Sequence, residues 1–502
     1  MILSPVWRTR LFTLAGSVLA VVIGVQIANE SFFWASLCLG ACVALVITRM
    51  QSQPLDTVML GGVLAGYIVG NRGFAQFSFS SVFPLLPAEL VLLVGGAMLL
   101  LSSAQHRELP WRRDSLNTAL LLWMLAGTIR VMFGARAYGF AAARDYALVY
   151  YGGFFFLAQH VARDPAAARF LHRCLLVACA LLLVIHPLFS AFPDFFLNTV
   201  TVGGVPLIFY KDDLAGNFMA MGSLLFYVRY DRTKRLTYLG LSLALAALMI
   251  TTNSRSSMVG LAVGAAWLTL GGRWKYPVLL GATGVVAAVA IFSFAYFRNQ
   301  SWQRTALQSV YERTLSIVDP QGQRNYQADD IVSKGDNNVF RMVWWRAAID
   351  ETVESNVWFG LGFGHDLADR FVRQYFPDSS EDFTARSPHN VLITVFARMG
   401  IVGITAFLAL LAIITAHTWR ALRGPARDGE AGTFWCAAWV ILVCACFGVV
   451  LEGPMGAVVF WTLLGLANSA SLDATPAEKP SAGEAQSSPL ASAPLPTTVS
   501  SA

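Results

Sequence analysis

Apolar residues run along nearly the whole chain in blocks of about 15–22, the length a helix needs to cross a hydrocarbon core. About 14 such blocks can be placed, centred near Leu19, Leu39, Val63, Leu93, Leu122, Phe154, Leu182, Gly222, Leu243, Val263, Val286, Phe407, Leu442 and Leu463. Those around Val63, Val263 and Leu463 are short, so the pattern predicts 12–14 transmembrane helices. The longest polar interruption is Phe297–Pro388. Inside it, Gly-Gln-Arg-Asn-Tyr-Gln and Lys-Gly-Asp-Asn-Asn read as loop, a helix is expected at about Val339–Val353, and Trp358-Phe359-Gly360-Leu361-Gly362-Phe363-Gly364 reads as turns. The apolar pattern resumes after Ser387-Pro388-His389-Asn390 and continues through Val391–Gly403. The Ala, Ser and Pro residues after about Ser471 predict a disordered tail. The expected organisation is an N-terminal transmembrane bundle at 1–297, a polar loop domain at 298–388, C-terminal membrane helices at 389–470 and a tail at 471–502.

Composition gives the same class. The 502 residues are 56% hydrophobic and only 13% charged, with a mean hydropathy of +0.56, against about 25% charged in soluble domains. The expected fold is an all-α polytopic membrane protein. All seven cysteines fall in apolar blocks, which argues against a disulfide framework, and no Cys/His cluster has zinc spacing. No nucleotide-binding Gly-rich loop and no metal-ligand pair at helical spacing is present, so neither cofactor nor metal is expected. The first block follows Trp7-Arg8-Thr9-Arg10 and lacks a small-residue cleavage site, so it reads as a retained span.

Basic residues gather in alternate short loops: Arg8 and Arg10, Arg49, Arg107–Arg113, Arg163–Arg173, Arg229–Arg235, Arg273 and Lys275, then Arg420–Arg427. This positive-inside pattern puts those loops and both termini in the cytoplasm. The net charge of +6 is thus spread over many turns and carries no nucleic-acid footprint. The same parity puts Asn71–Pro84, Gly134–Arg144, Ala191–Asp213, Thr251–Ser256 and Phe297–Pro388 outside. Of the seven histidines, only His365 and His389 belong to the large outer segment, so a base working there is one of these two. Imidazole titrates nearest neutrality and suits proton transfer.

External cations are the other candidates. Arg255 lies in the hydroxyl-rich notch Thr251–Ser257, where an Arg is expensive unless paired or facing a wet cavity, and its fork suits phosphate oxygens. Arg341 and Trp345 share one helix face, whereas Arg346 lies on another. Arg136, Arg144, Lys211 and Arg386 are further outer cations, Asn390 adjoins His389, and Lys211-Asp212-Asp213 predicts a local ion pair at a helix start.

With those residues in view, the chain resembles the bacterial O-antigen ligase and polymerase superfamily from about Asn253 to Gly403. Ser254-Arg255-Ser256, then Arg341…Trp345…Ala348 followed by the 358–364 turn, then Pro388-His389-Asn390 with Leu392, Gly400 and Gly403, are similar to that family's motifs. Arg398 stands where members often carry Glu, and Trp358 where they often carry Pro after a Gly.

The resemblance implies a glycosyltransferase of the bacterial inner membrane. It would move a glycan from undecaprenyl diphosphate to a sugar hydroxyl of lipid A–core at the periplasmic face, without metal and with inversion. His389 would be its base, and Arg255 and Arg341 its diphosphate ligands. Repeat-unit polymerisation and protein O-glycosylation are the neighbouring readings within that chemistry. A transporter or flippase is the reading from another class, but its cations would line a path through the bilayer midplane, and these cluster at one face.

Overall fold

A computed structural model describes residues 53–78, 85–252, 254–298, 311–312, 315, 329–375, 386–424 and 429–473, with the side chains of 287–288, 290–298 and 329–338 left out. The expected blocks at Leu19 and Leu39, residues Arg8, Arg10, Arg49, Cys38 and Cys42, most of the 298–338 stretch and the tail beyond 473 lie outside the described residues.

The chain is an all-α polytopic membrane protein. Its main helices are α1 Leu55–Gly70, α2 Pro87–His106, α3 Ser115–Tyr138, α4 Gly153–Val161, α5 Pro165–Ala191, α6 Asp212–Thr233 and α7 Leu236–Thr251. They continue as α8 Arg255–Leu270, α9 Lys275–Arg298, α10 Asp329–Asn356, α11 Asp369–Tyr375, α12 Val391–Arg423, α13 Ala431–Ala445 and α14 Pro454–Asp473. Among the described residues, α2, α3, α5 and α12 are long and apolar enough to cross a membrane, and α1, α7 and α13 are shorter apolar helices. Every expected block centre from Val63 to Leu463 falls inside one of these helices. The block near Phe154 is broken: two short helices at Phe140–Asp145 and Ala147–Tyr150 precede the nine-residue α4. The only strands among the described residues are Thr201–Val202 and Val205–Pro206, a minimal hairpin over Gly203-Gly204.

Local chemistry sets the helix starts. Asp114 accepts from Asn117 N at 2.8 Å, Asp164 from Ala166 N at 2.9 Å with Pro165 next, and Ser254 from Ser257 N at 3.2 Å. Each supplies an acceptor for backbone N–H groups that have no partner inside the helix. α6 is buried on every side from Leu214 to Val228 and packs against α7, α8, α13 and α5. Its small residues admit close neighbours, and Ser223 bonds Ser242 and Tyr276 across helices, the polar glue expected where lipid gives no apolar driving force.

Contacts sort into two ends. At one, Arg163 meets Glu108, His172 and Arg229 meet Glu430, Arg112 meets Ser469, and Ser115 meets His417. At the other, Asn71 bonds Lys211 N, Asp145 bonds Gly364 N, and Ser257 bonds the Asp213 carbonyl. The residues of the basic loops and those of the alternate loops thus meet only their own kind in these contacts.

The expected continuous helix after His389 is interrupted. α12 breaks at Gly400, whose φ of 63° and ψ of −157° lie outside helical space. The turn after α10 fills the gap: Leu361 N donates to Ala397 O, Gly362 N to Arg398 O, Ile401 N to Val357 O and Val402 N to Trp358 O, at 2.7–3.2 Å. Backbone groups freed by the break are therefore met by another piece of chain, as the membrane interior requires. Gly360, at φ 70°, lies so close that a Cβ would come within 2.6 Å of Ala397 O, and one on Gly400 would run into the Trp358 carbonyl.

The Gly400 conformation is one that only glycine adopts readily, at a cost of about 1–3 kcal/mol for other residues. Gly400→Ala should lower the thermal unfolding midpoint in detergent by several degrees. Gly240→Ala, inside α7 and where an added Cβ meets nothing within 4 Å, should hold or slightly raise it. Equal midpoints for the two variants would mean that the break is not under this constraint.

Candidate active site

His389 stands at the non-cytoplasmic end of the predicted topology, between the polar segment and α12. Asn390 is the N-cap: its side chain accepts from Leu392 N at 2.9 Å and Ile393 N at 3.3 Å. That role is structural. His389 itself has a φ of 57°, a left-handed conformation uncommon outside glycine. It is held from α10, where Trp345 Nε1 donates to Pro388 O at 2.6 Å and the Trp344 ring lies edge-on to the imidazole at 5.9 Å. Trp344 is anchored in turn by a hydrogen bond to Leu367 O and by stacking on Phe371 of α11.

The imidazole's tautomer follows from one contact. Its Nδ1 lies 2.8 Å from Ser387 O. A carbonyl only accepts, so Nδ1 carries the proton and Nε2 keeps its lone pair. Burial, reinforced by the charges of Arg341 and Lys211, pushes the imidazole pKa down to about 4, against the opposing pull of the Ser387 bond and Asp213. The group is therefore neutral near pH 7, the state a base must be in.

A cavity of about 200 Å³ opens beside the ring, with Arg144, Asp145, Arg386, His389, Arg398 and Glu452 among its walls. Arg398 Nη2 pairs with Asp145 at 2.8 Å, and both are nearly inaccessible, at 3% and 9%. The same guanidinium donates to the carbonyls of Gly362 and His365. Arg386 donates to Gly364 O at 2.8 Å, while its Nε is buried without a hydrogen-bond partner. Glu452, between α13 and α14, accepts from Ser387 Oγ at 2.7 Å and Thr394 Oγ1 at 3.1 Å, and burial raises its pKa.

A second group of charges approaches His389 from α6 and α10. Lys211 and Asp213 form the expected ion pair at a helix start, at 3.0 Å. Arg341 donates to Phe447 O at 2.9 Å, and burial lowers its pKa while Asp213 opposes the shift. Gly448, the next residue, lies against the Asp213 carboxylate. Arg255 opens α8, whose Ser257 bonds the Asp213 carbonyl at 3.0 Å. Arg255 and Arg341 therefore both belong to the neighbourhood of Asp213, but neither borders the cavity.

Other candidates lie apart. Arg346 is 86% exposed and reaches only towards Asp350 at 3.9 Å. Arg136 is exposed near the end of α3. His365 Nε2 is tied to Glu351 at 2.8 Å, so that imidazole is engaged in holding α10 to the following turn.

Residues 239–408 match the family model described as O-antigen ligase. This segment is similar to O-antigen ligase domains. No curated protein matches the chain. The matched segment runs from α7 into the second half of α12, so it takes in Arg255, Arg341 and His389. Asp145, Lys211 and Glu452 come from outside it. The family indicates, in general terms, a membrane glycosyltransferase of the O-antigen ligase and polymerase kind, with a polysaccharide or lipid-linked substrate.

Asp145, Asp213 and Glu452 carry no signal in the sequence that marks them as site residues. An intramembrane charge is a reason for suspicion, and Arg398 within an apolar run is the one case where that rule points to the cavity.

His389 also bears on stability. Its folded pKa lies below the ordinary 6.5, so on acidification the unfolded chain takes up the proton first. The contribution is fully present above pH 6.5 and is lost as pH falls towards 4. Wild type should therefore lose more thermal stability than His389→Gln between pH 6.5 and 4.5. Equal losses would put the imidazole in water-like surroundings.

Proposed function

We propose that the protein is an O-antigen ligase, transferring a glycan from undecaprenyl diphosphate to a sugar hydroxyl of lipid A–core at the periplasmic face of the bacterial inner membrane. The observation that carries this reading is the His389 imidazole in the wall of a cavity, with its Nδ1 fixed on Ser387 O, which leaves Nε2 unprotonated. His389 Nε2 takes the proton of the acceptor hydroxyl as that oxygen attacks the anomeric carbon. The new C–O bond forms while the bond from that carbon to the diphosphate oxygen breaks. Configuration inverts, and the lipid diphosphate leaves with the bonding electrons.

Arg341 and Arg255 stabilise charge growing on the leaving group, with Lys211 as a third cation in range of His389. Arg341 spends one donor on Phe447 O, which leaves further N–H groups of its fork for phosphate oxygens. Preorganised donors aimed at developing charge are a large source of rate in water-poor sites. The two-ended sorting of contacts supports a single outer face for this machinery, with both termini in the cytoplasm.

His389→Ala should cut transfer by about 10²–10⁴-fold while the purified chain still folds, and lipid-linked donor should accumulate in cells. Arg341→Lys should also impair transfer, because an ammonium lacks the bidentate fork. Near-normal transfer by His389→Ala, with His365→Ala dead, would move the base to His365. Deleting the gene tells neighbouring chemistries apart: uncapped lipid A–core supports a ligase, and capping by single repeat units supports a polymerase.

Cysteines introduced one at a time should react with an impermeant thiol reagent from outside within 299–388 and stay unreactive within 229–235. Labelling of 229–235 in intact cells would invert the topology and remove the site from the periplasm.

A further inference from the structure

Two cationic groups flank His389, and only one of them is accounted for by a diphosphate. Arg341 and Lys211 reach the imidazole from α10 and the start of α6. Arg144, Arg386 and Arg398 lie on the other side, in the walls of the cavity. Within that second group the balance of charge is uneven. Asp145 is spent on Arg398 at 2.8 Å, and its distance to Arg386 is 3.9 Å. Asp366 Oδ2 lies 3.7 Å from the Arg386 Nε itself, within ion-pair range but too long for a hydrogen bond. The Arg386 Nε is buried and finds no hydrogen-bond acceptor, an expensive state for a charged donor. Arg144 adds an exposed guanidinium at the rim.

Size and polar lining narrow what fits. The cavity of about 200 Å³ is smaller than the roughly 300–1,000 Å³ typical of sites for drug-sized ligands, and suits one sugar ring. Both recorded bonds to the Glu452 carboxyl reach Oε1, so among the described residues Oε2 remains for a sugar hydroxyl. His389 Nε2 is the base at the same cavity.

We propose that this cavity is the acceptor subsite and that it takes a sugar bearing an acidic group, with Arg386 and Arg144 holding the acid, Glu452 a hydroxyl, and His389 the hydroxyl that reacts. The proposal rests on the glycosyltransferase reading above and adds the class of acceptor. A planar guanidinium fork matches a carboxylate or phosphate edge, whereas a neutral sugar would leave the Arg386 donor unmet.

The test needs no transfer activity. Diethyl pyrocarbonate modifies neutral imidazole, so the rate of His389 carbethoxylation in the purified full-length chain, read by peptide mass spectrometry near pH 6.5, reports what occupies the cavity. Glucuronate should slow the reaction, and glucose and inorganic phosphate should each protect at least about tenfold more weakly, since a charged hydrogen bond is worth about that factor or more. Arg386→Gln should weaken glucuronate protection by about tenfold. If that variant does not fold, because it also frees Gly364 O, Arg144→Gln carries the comparison. Glucose protecting as well as glucuronate would overturn the proposal, as would full protection by inorganic phosphate, which would mean a bare anion site shared with the diphosphate. Protection retained in full by both variants, or absent for glucuronate in wild type, would overturn it equally. Failure of the protection assay alongside normal His389-dependent transfer removes this subsite only. Protection without any transfer removes the glycosyltransferase reading and leaves the acid-sugar site.

Discussion

Membrane interiors offer no water to a carbonyl or N–H that loses its helical partner, so a helix can break there only where other protein meets the freed groups. The break at Gly400 lies within α12, a helix long and apolar enough to cross a membrane, and four backbone hydrogen bonds from residues 357–362 and 397–402 close it. Everything near the cavity follows from that seam. It fixes the 358–364 turn against the first half of α12, and so fixes α10, which precedes the turn. α10 then holds Pro388 and the His389 ring through Trp345 and Trp344. Arg398, two residues before the break, reaches across to Asp145 and to the carbonyls of the same turn. Arg130 of α3 adds bonds to the carbonyls of Phe359 and Gly360 at 2.7 and 2.9 Å.

The Arg398–Asp145 pair sits where charges are costly to bury, and a buried pair is weak evidence of net stability. Its geometry suggests what it contributes. One guanidinium serves Asp145, Gly362 O and His365 O at once, and Asp145 also accepts from Gly364 N at 3.0 Å. The short helix at Phe140–Asp145, the glycine turn and α12 are joined through a single pair of residues. Removing Asp145 would leave a buried charge and one unmet N–H, and removing Arg398 a buried charge and two unmet carbonyls, each far worse than the loss of one surface bridge.

Much of this was legible from sequence because it is local. Apolar block lengths announced α1 to α9 and α12 to α14, and the spacing of Arg341 and Trp345 put both on the face of α10 that meets Phe447 and Pro388. His389 was singled out by its place between a polar segment and an apolar run. The pairs that build the cavity were not legible, since Asp145 and Arg398, or Ser387 and Glu452, are joined only by the tertiary fold. The interruption of α12 was missed for a related reason. Val391–Gly403 reads as one apolar helix, and nothing local says that a distant glycine turn will replace the lost backbone bonds. Asn390 drew attention as a neighbour of the base, yet it closes the helix start.

The cations around His389 also set the order of events. With the site empty, burial together with the fields of Arg341 and Lys211 keeps the imidazole a feeble base, so a stray water molecule that reaches it is poorly activated. An arriving diphosphate brings negative charge that offsets those fields, and the basicity of the ring rises as the donor settles. On the proposed mechanism the site would be idle by default and armed by its own donor, which would protect a costly lipid-linked glycan from hydrolysis.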